Sequence, residues 1–112
     1  MNISVVQLFK CLSEETRLNS TLLIHLEGEV CVCELVETLG ESQSKISRHL
    51  SQLRNCGILT DRRTGQWVFY SLHPDFPEWG NSVLGDACIA NAKELKGLRA
   101  RLNALKDRPN RC

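Results

Sequence analysis

The chain has no run approaching the roughly 18 consecutive apolar residues of a membrane-spanning helix. Its apolar residues 5–9 have neither the basic flank nor the length of a secretory signal, so a cytoplasmic protein with no membrane partner is expected. Internal repeats, low-complexity tracts and linkers are missing too, apart from a short tail over residues 107–112. A length of 112 residues therefore reads as one domain, 1–112. Histidine is scarce: His25, His49 and His73 lie far apart, and Asp86 is followed by Cys88 but by no histidine, which leaves a tetrahedral N/O zinc site unsupported. No Cys-x-x-Cys follows a βαβ pattern, so a thiol oxidoreductase is disfavoured and no enzymatic activity is expected. Net charge is nearly absent as well, at +1.

That small net charge hides an asymmetry. Residues 14–41 hold Glu14, Glu15, Glu27, Glu29, Glu34, Glu37 and Glu41 against the single base Arg17, whereas residues 42–66 hold Lys45, Arg48, Arg54, Arg62 and Arg63 against the single acid Asp61. The local field of the second block attracts a polyanion. Its pattern is that of a helix-turn-helix. Val32, Leu35, Val36 and Leu39 give one buried helical stripe, Gly40 breaks it, and Ser42 caps a second helix that buries Ile46, Leu50 and Leu53. The other face of this second helix carries hydrogen-bond donors and positive charge, as a major-groove reader needs. The expected DNA contacts on it are Ser42, Gln43, Ser44, Lys45, Ser47, Arg48, His49 and Gln52.

Residues 58–63 and 66–72 are rich in β-branched and aromatic side chains, and the Thr64-Gly65 turn between them predicts a hairpin with a basic tip of Arg62, Arg63 and Gln66. A helix-turn-helix followed by such a hairpin is a winged helix, mainly α with a β-hairpin wing, and double-stranded DNA is the expected partner. Residues 5–11 and 14–26 read as scaffold helices, the second capped by Ser13. Beyond Pro74 and Pro77, Leu84, Cys88, Asn91, Leu95, Leu98, Leu102 and Leu105 form a heptad seam that calls for a partner helix. A homodimer is therefore expected, with Leu8, Phe9, Leu84, Cys88, Leu95, Leu98 and Leu102 at its interface.

Six cysteines remain to be placed. Several sit in helical apolar patterns and no export signal accompanies them, so reduced thiols are expected. Cys31 and Cys33 stand directly before the helix-turn-helix, where soft thiolates suit a soft, thiophilic ligand. On a regular helix the side chains at i and i+2 diverge, so capture of one small ion by both should unwind the first turn and shift the recognition helix. A redox couple of the same two thiols is the alternative, giving an oxidation-responsive DNA-binding protein.

Residues 7–10, 12–18, 29–35, 42–50 and 67–72 resemble the metalloregulatory repressors of the ArsR/SmtB family, and specifically its arsenic-responsive branch. The most specific elements are EVCVCEL at 29–35 and SQSKISRHL at 42–50. The resemblance implies a homodimeric winged-helix repressor, joined through its first and last helices and released from its operator when As(III) or Sb(III) binds cysteines, with no constitutive cofactor. It assigns Cys31 and Cys33 as ligands. Members with this motif carry a third thiol three positions later, where this chain has Val36. Cys11, Cys56, Cys88, Cys112 and a small cellular thiol all stand open as the third ligand.

Overall fold

The computed structural model describes residues 3–105; Lys106, Cys112 and the tail over 107–112 lie outside the described residues. Helix α1 (Val5–Leu12) starts at Ser4, whose Oγ accepts from the Gln7 amide while the Gln7 side chain accepts from the Ser4 amide, both at 3.1 Å. Helix α2 (Glu15–Glu27) is capped by Glu14, which accepts from the Arg17 amide at 2.9 Å. Ser13, expected to cap it, instead ends α1, donating its hydroxyl to the Lys10 carbonyl at 2.8 Å.

The helix-turn-helix follows as α3 (Val32–Leu39) and α4 (Gln43–Asn55). Gly40 joins them with φ +67°, a left-handed conformation that closes a helix cheaply only at glycine. Ser42 Oγ caps α4 through the Lys45 amide at 3.2 Å. Leu35, Ile46, Leu50 and Leu53 are fully buried, together with Leu8, Leu22, Leu23 and Ile24 from the first two helices. Burial of each such side chain contributes about 1.5–3 kcal/mol, which is why the apolar stripes dictate where the helices lie.

The wing is β2 (Leu59–Thr64) and β3 (Trp67–Leu72), antiparallel, with Gly65 at φ +59° in the turn. A third strand, β1 (Glu29–Cys31), pairs with the other edge of β3, so the sheet order is β1-β3-β2. Its register sets Glu29 opposite Ser71, Val30 opposite Tyr70 and Cys31 opposite Phe69. Three residues carry no strand signal of their own; only the exposed edge of β3 makes them one.

The expected heptad seam breaks at Asn91, into α5 (Glu78–Ala90) and α6 (Ala92–Asn103). After the break α6 packs back on α3 and α2, tied by Arg99 to Glu27 at 2.8 Å. Leu8, Leu84, Cys88, Leu95 and Leu102 are thereby buried within one protomer and Leu98 packs against the same core. The first five are core and Leu98 is half-buried against it, and of the expected interface set Phe9 alone is exposed, at 53%.

Expectation fails for two of the thiols as well. Cys11, on the last turn of α1, and Cys56, the C-cap residue of α4, form a disulfide with their Cα atoms 6.9 Å apart. They are 45 residues apart in the chain, and nothing local in the sequence signals that two helix ends meet. Closing a loop of this length restricts the unfolded chain, so Cys56→Ser should lose about 2–4 kcal/mol in urea unfolding without reductant and lose nothing relative to the parent once both are reduced. A count of six reactive thiols in denaturant without reductant would contradict the bridge.

Candidate DNA face and thiol site

Helix α4 has two distinct sides. On its inner side His49 is 7% exposed, and its Nδ1 lies 3.2 Å from Arg17 Nη1 while its Nε2 lies 3.8 Å from Glu14. The same Arg17 Nη1 donates to Gln52 Oε1 at 2.8 Å, and Arg17 Nε donates to the Cys11 carbonyl at 2.7 Å. One guanidinium thus fastens α2, the end of α1 and α4 together. His49 is turned inward by this contact and is removed from the DNA-facing set, and the Gln52 amide is engaged by it. The sequence hid this because a histidine in a polar helix reads equally well on either face.

On the outer side Ser42, Gln43, Ser44 and Arg48 are exposed, with Lys45 and Ser47 half-buried. Lys45 pairs with Glu41 at 2.8 Å, whereas Arg48 makes no ion pair or hydrogen bond among the described residues. The wing divides its charges in the same way. Arg62 grips both Glu29 oxygens at 2.8 Å and lies 4.4 Å over the Phe69 ring, so it clamps β2 to β1 across β3 and is not a free phosphate ligand. Arg63 and Gln66 are exposed, and Arg63 makes no ion pair or hydrogen bond among the described residues.

The thiols meet at the junction of β1 and α3. Cys31 is the N-cap of α3, still extended at φ −80° and ψ 148°, and Cys33 is in the first turn. Because only one of the two is helical, their sulfurs converge to 3.2 Å, and the expected unwinding of the first turn is unnecessary. Buried Glu34 holds the junction by accepting from the Cys31 amide at 2.8 Å. Val36, where a third thiol would stand, packs against the core. Cys11 and Cys56 are joined to each other, and Cys88 lines a separate hollow with Leu26 and Ile89. No cluster of three or more His, Cys, Asp or Glu side chains fit for a metal ion exists among the described residues. The residues present therefore offer a trivalent metalloid two sulfurs, at a separation that one pyramidal atom can span.

A cleft of about 580 Å³ opens beside the pair. It is lined by Cys31, Val32 and Cys33 at the junction, by Gln43, Ser47, Ser51 and Arg54 of α4, and by Arg63, Gln66, Trp67, Val68 and Tyr70 of the wing. Ser51, Trp67 and Tyr70 were not expected at a site. Ser51 follows Gln43 and Ser47 at helical spacing of four, a signal that could have placed it on the same wall.

Burial raises the Cys33 thiol to about 12, assisted by its hydrogen bond to Cys31 and by the charges of Cys31 and Glu34. At neutral pH the thiol is therefore protonated and a poor nucleophile. A neutral metalloid hydroxide brings its own base, since each hydroxide leaves as water with a thiol proton.

Helix-turn-helix, open basic outer face and arginine-tipped wing define a winged-helix DNA-binding protein. A family model described as bacterial regulatory protein, arsR family, matches residues 15–61. The chain is 54% identical over 101 residues to the arsenic resistance transcriptional regulator ArsR1 of Pseudomonas putida, covering 90% of this chain and 79% of that protein. It is 43% identical over 110 residues to the arsenical resistance operon repressor of Escherichia coli K12, covering 96% and 94%. The structure of reduced HlyU from Vibrio cholerae superposes with a TM-score of 0.68 at 32% identity, covering 76% of this chain and 85% of that one. The chain belongs to the arsR family and is a DNA-binding transcription regulator.

The raised Cys33 thiol gives a direct chemical test. Its alkylation by iodoacetamide at pH 7, followed by peptide mass mapping, should be at least about a hundredfold slower than that of a free cysteine and should climb about tenfold per pH unit to beyond pH 10. Glu34→Gln should accelerate it, because a negative neighbour is removed. A plateau below pH 9 would contradict this environment.

Proposed function

We propose that this protein is a metalloid-responsive repressor: a homodimer that holds operator DNA with α4 and the wing and releases it when As(III) or Sb(III) bridges Cys31 and Cys33. The observation that carries the reading is the shared cleft, which Cys31 and Cys33 line together with residues of the recognition helix and of the wing. Atoms added at the sulfurs occupy the space that separates these two DNA-contacting elements. The strand that carries Cys31 is paired to β3 of the wing, so a shift there moves the wing directly. The names of the Pseudomonas putida and Escherichia coli relatives, both tied to arsenic resistance, agree with this inducer class. A redox couple of Cys31 and Cys33, whose sulfurs lie 3.2 Å apart, is the competing reading, and release by arsenite in the presence of reductant separates the two.

The test uses a duplex selected by the wild-type protein from a random library, followed by fluorescence anisotropy. Arsenite should release the wild type, while Cys31→Ser and Cys33→Ser should bind the duplex with unchanged affinity and stay bound. Arg48→Ala should weaken binding by about 1–3 kcal/mol if it reads a base edge. Arg63→Ala should lower the slope of log affinity against log salt by about 0.9, as loss of one phosphate contact requires. Normal arsenite release from both serine variants would place the sensor elsewhere.

The dimer face is read from what α1 leaves uncovered. Val5, Val6 and Phe9 are 56%, 63% and 53% exposed at spacings of three and four, which makes one apolar face, and Ile89 on α5 is 76% exposed. Since Phe9 is not part of the core, Phe9→Asp should leave the fold intact by circular dichroism yet give monomers in sedimentation at micromolar concentration, with operator affinity lost. An unchanged dimer would move the interface away from α1.

A further inference from the structure

One route from the thiols to the operator runs through the sheet, and β1 is poorly built to serve it alone. It is three residues long, lies at the edge of the sheet and pairs with β3 only. Such a strand has few ladder hydrogen bonds and opens readily. One side chain compensates. Arg62 on β2, at the opposite edge, uses all three guanidinium nitrogens: Nε and Nη2 donate to the two oxygens of Glu29 on β1, and Nη1 donates to the hydroxyl of Thr64, each at 2.8 Å. The register sets Arg62 across Phe69 from Cys31, so one row of the sheet runs from a thiol through the aromatic ring to the clamp. Glu29, two residues before Cys31, shares its sheet face. Thr64 is the last residue of β2, next to the turn at the wing tip.

We infer that Glu29 is a positioning residue for the response: through Arg62 it holds β1 and the wing as one body, so that occupancy of Cys31 and Cys33 displaces the wing tip instead of peeling β1 from β3. This rests on the thiol pair being the sensor, and it adds the route by which the sensor acts. The geometry fits a relay better than a stabilising strut. The Arg62 and Glu29 side chains are 48% and 26% exposed, and an ion pair this open to water contributes little to stability. Its two parallel bonds nevertheless fix direction, which a single point contact does not. Removing the clamp should therefore leave the fold and arsenite affinity in place and weaken the communication between thiols and DNA.

The experiment uses the full chain with its Cys11–Cys56 disulfide intact and the duplex selected by the wild type. Fluorescence anisotropy gives the ratio of operator dissociation constants with and without saturating arsenite. A ratio separates communication from any change in basal affinity caused by freeing the arginine. Glu29→Gln and Arg62→Gln should each lower it toward one by at least about threefold, within the range over which residues along a coupling route act, while arsenite affinity by thiol-to-arsenic absorption stays within about twofold. The two substitutions combined should lose no more than either alone, as removal of one shared contact requires. The exchange of Glu29→Arg with Arg62→Glu should restore most of the ratio. In hydrogen exchange, arsenite should alter the amides of β2 and β3 in the wild type but only those of β1 and α3 in Glu29→Gln. An unchanged ratio in both single variants, or a loss of arsenite affinity in Glu29→Gln, overturns the relay alone. Arsenite release that persists in Cys33→Ser overturns the thiol site itself, a separate failure.

Discussion

The pairing of β1 with the free edge of β3 is the constraint on which the rest depends. It holds Cys31 extended opposite Phe69, so that the residue enters α3 as a cap and its sulfur meets that of Cys33 at 3.2 Å. Were Cys31 one turn inside a helix, the two sulfurs would diverge and no single atom could join them. The same pairing makes the thiol-bearing strand part of the wing's own sheet, and Arg62 locks the arrangement by spanning from β2 to Glu29 on β1 above the Phe69 ring. Arg62, expected from the sequence to contact DNA, joins the thiol-bearing strand to the wing through Glu29.

Around that sheet the recognition helix is anchored to the core on its inner side and to strand β2 of the wing through Arg54 and Asp61 at 3.2 Å. Its inner face is fastened by Ile46, Leu50 and Leu53 in the core and by Arg17, which reaches His49 and Gln52, and its end is tied to α1 through the Cys11–Cys56 bridge. Its outer face borders the cleft that residues of the wing also line. The coupling the cleft must supply is modest, since allosteric effects of about 1–3 kcal/mol already change affinity five- to 150-fold.

The sequence displays what short-range patterns encode. Apolar spacing placed α3 and α4, Ser42 and Gly40 marked their ends, and Thr64-Gly65 marked the wing, because each signal lies within a few residues of the feature it sets. What escaped was tertiary. Strand β1 exists only against β3, the seam of Leu84, Leu95 and Leu102 is filled by a helix that breaks at Asn91 and folds back, and His49 is buried by an arginine 32 residues away. Cys31 and Cys33 were legible as a pair from their spacing. Their convergence, and the cleft above them, were not, since both arise from elements distant in the chain.

The central claim is that thiol occupancy and DNA binding compete through one cleft, and reciprocity tests it most directly. If arsenite weakens operator affinity by some factor, the operator must weaken arsenite affinity by the same factor. Titrating arsenite into the free protein and into the saturated protein–DNA complex, followed by thiol-to-arsenic charge-transfer absorption, measures that factor. The account predicts a reduction in arsenite affinity on DNA equal to the independently measured loss of operator affinity, within error. Equal arsenite affinity with and without DNA would contradict it.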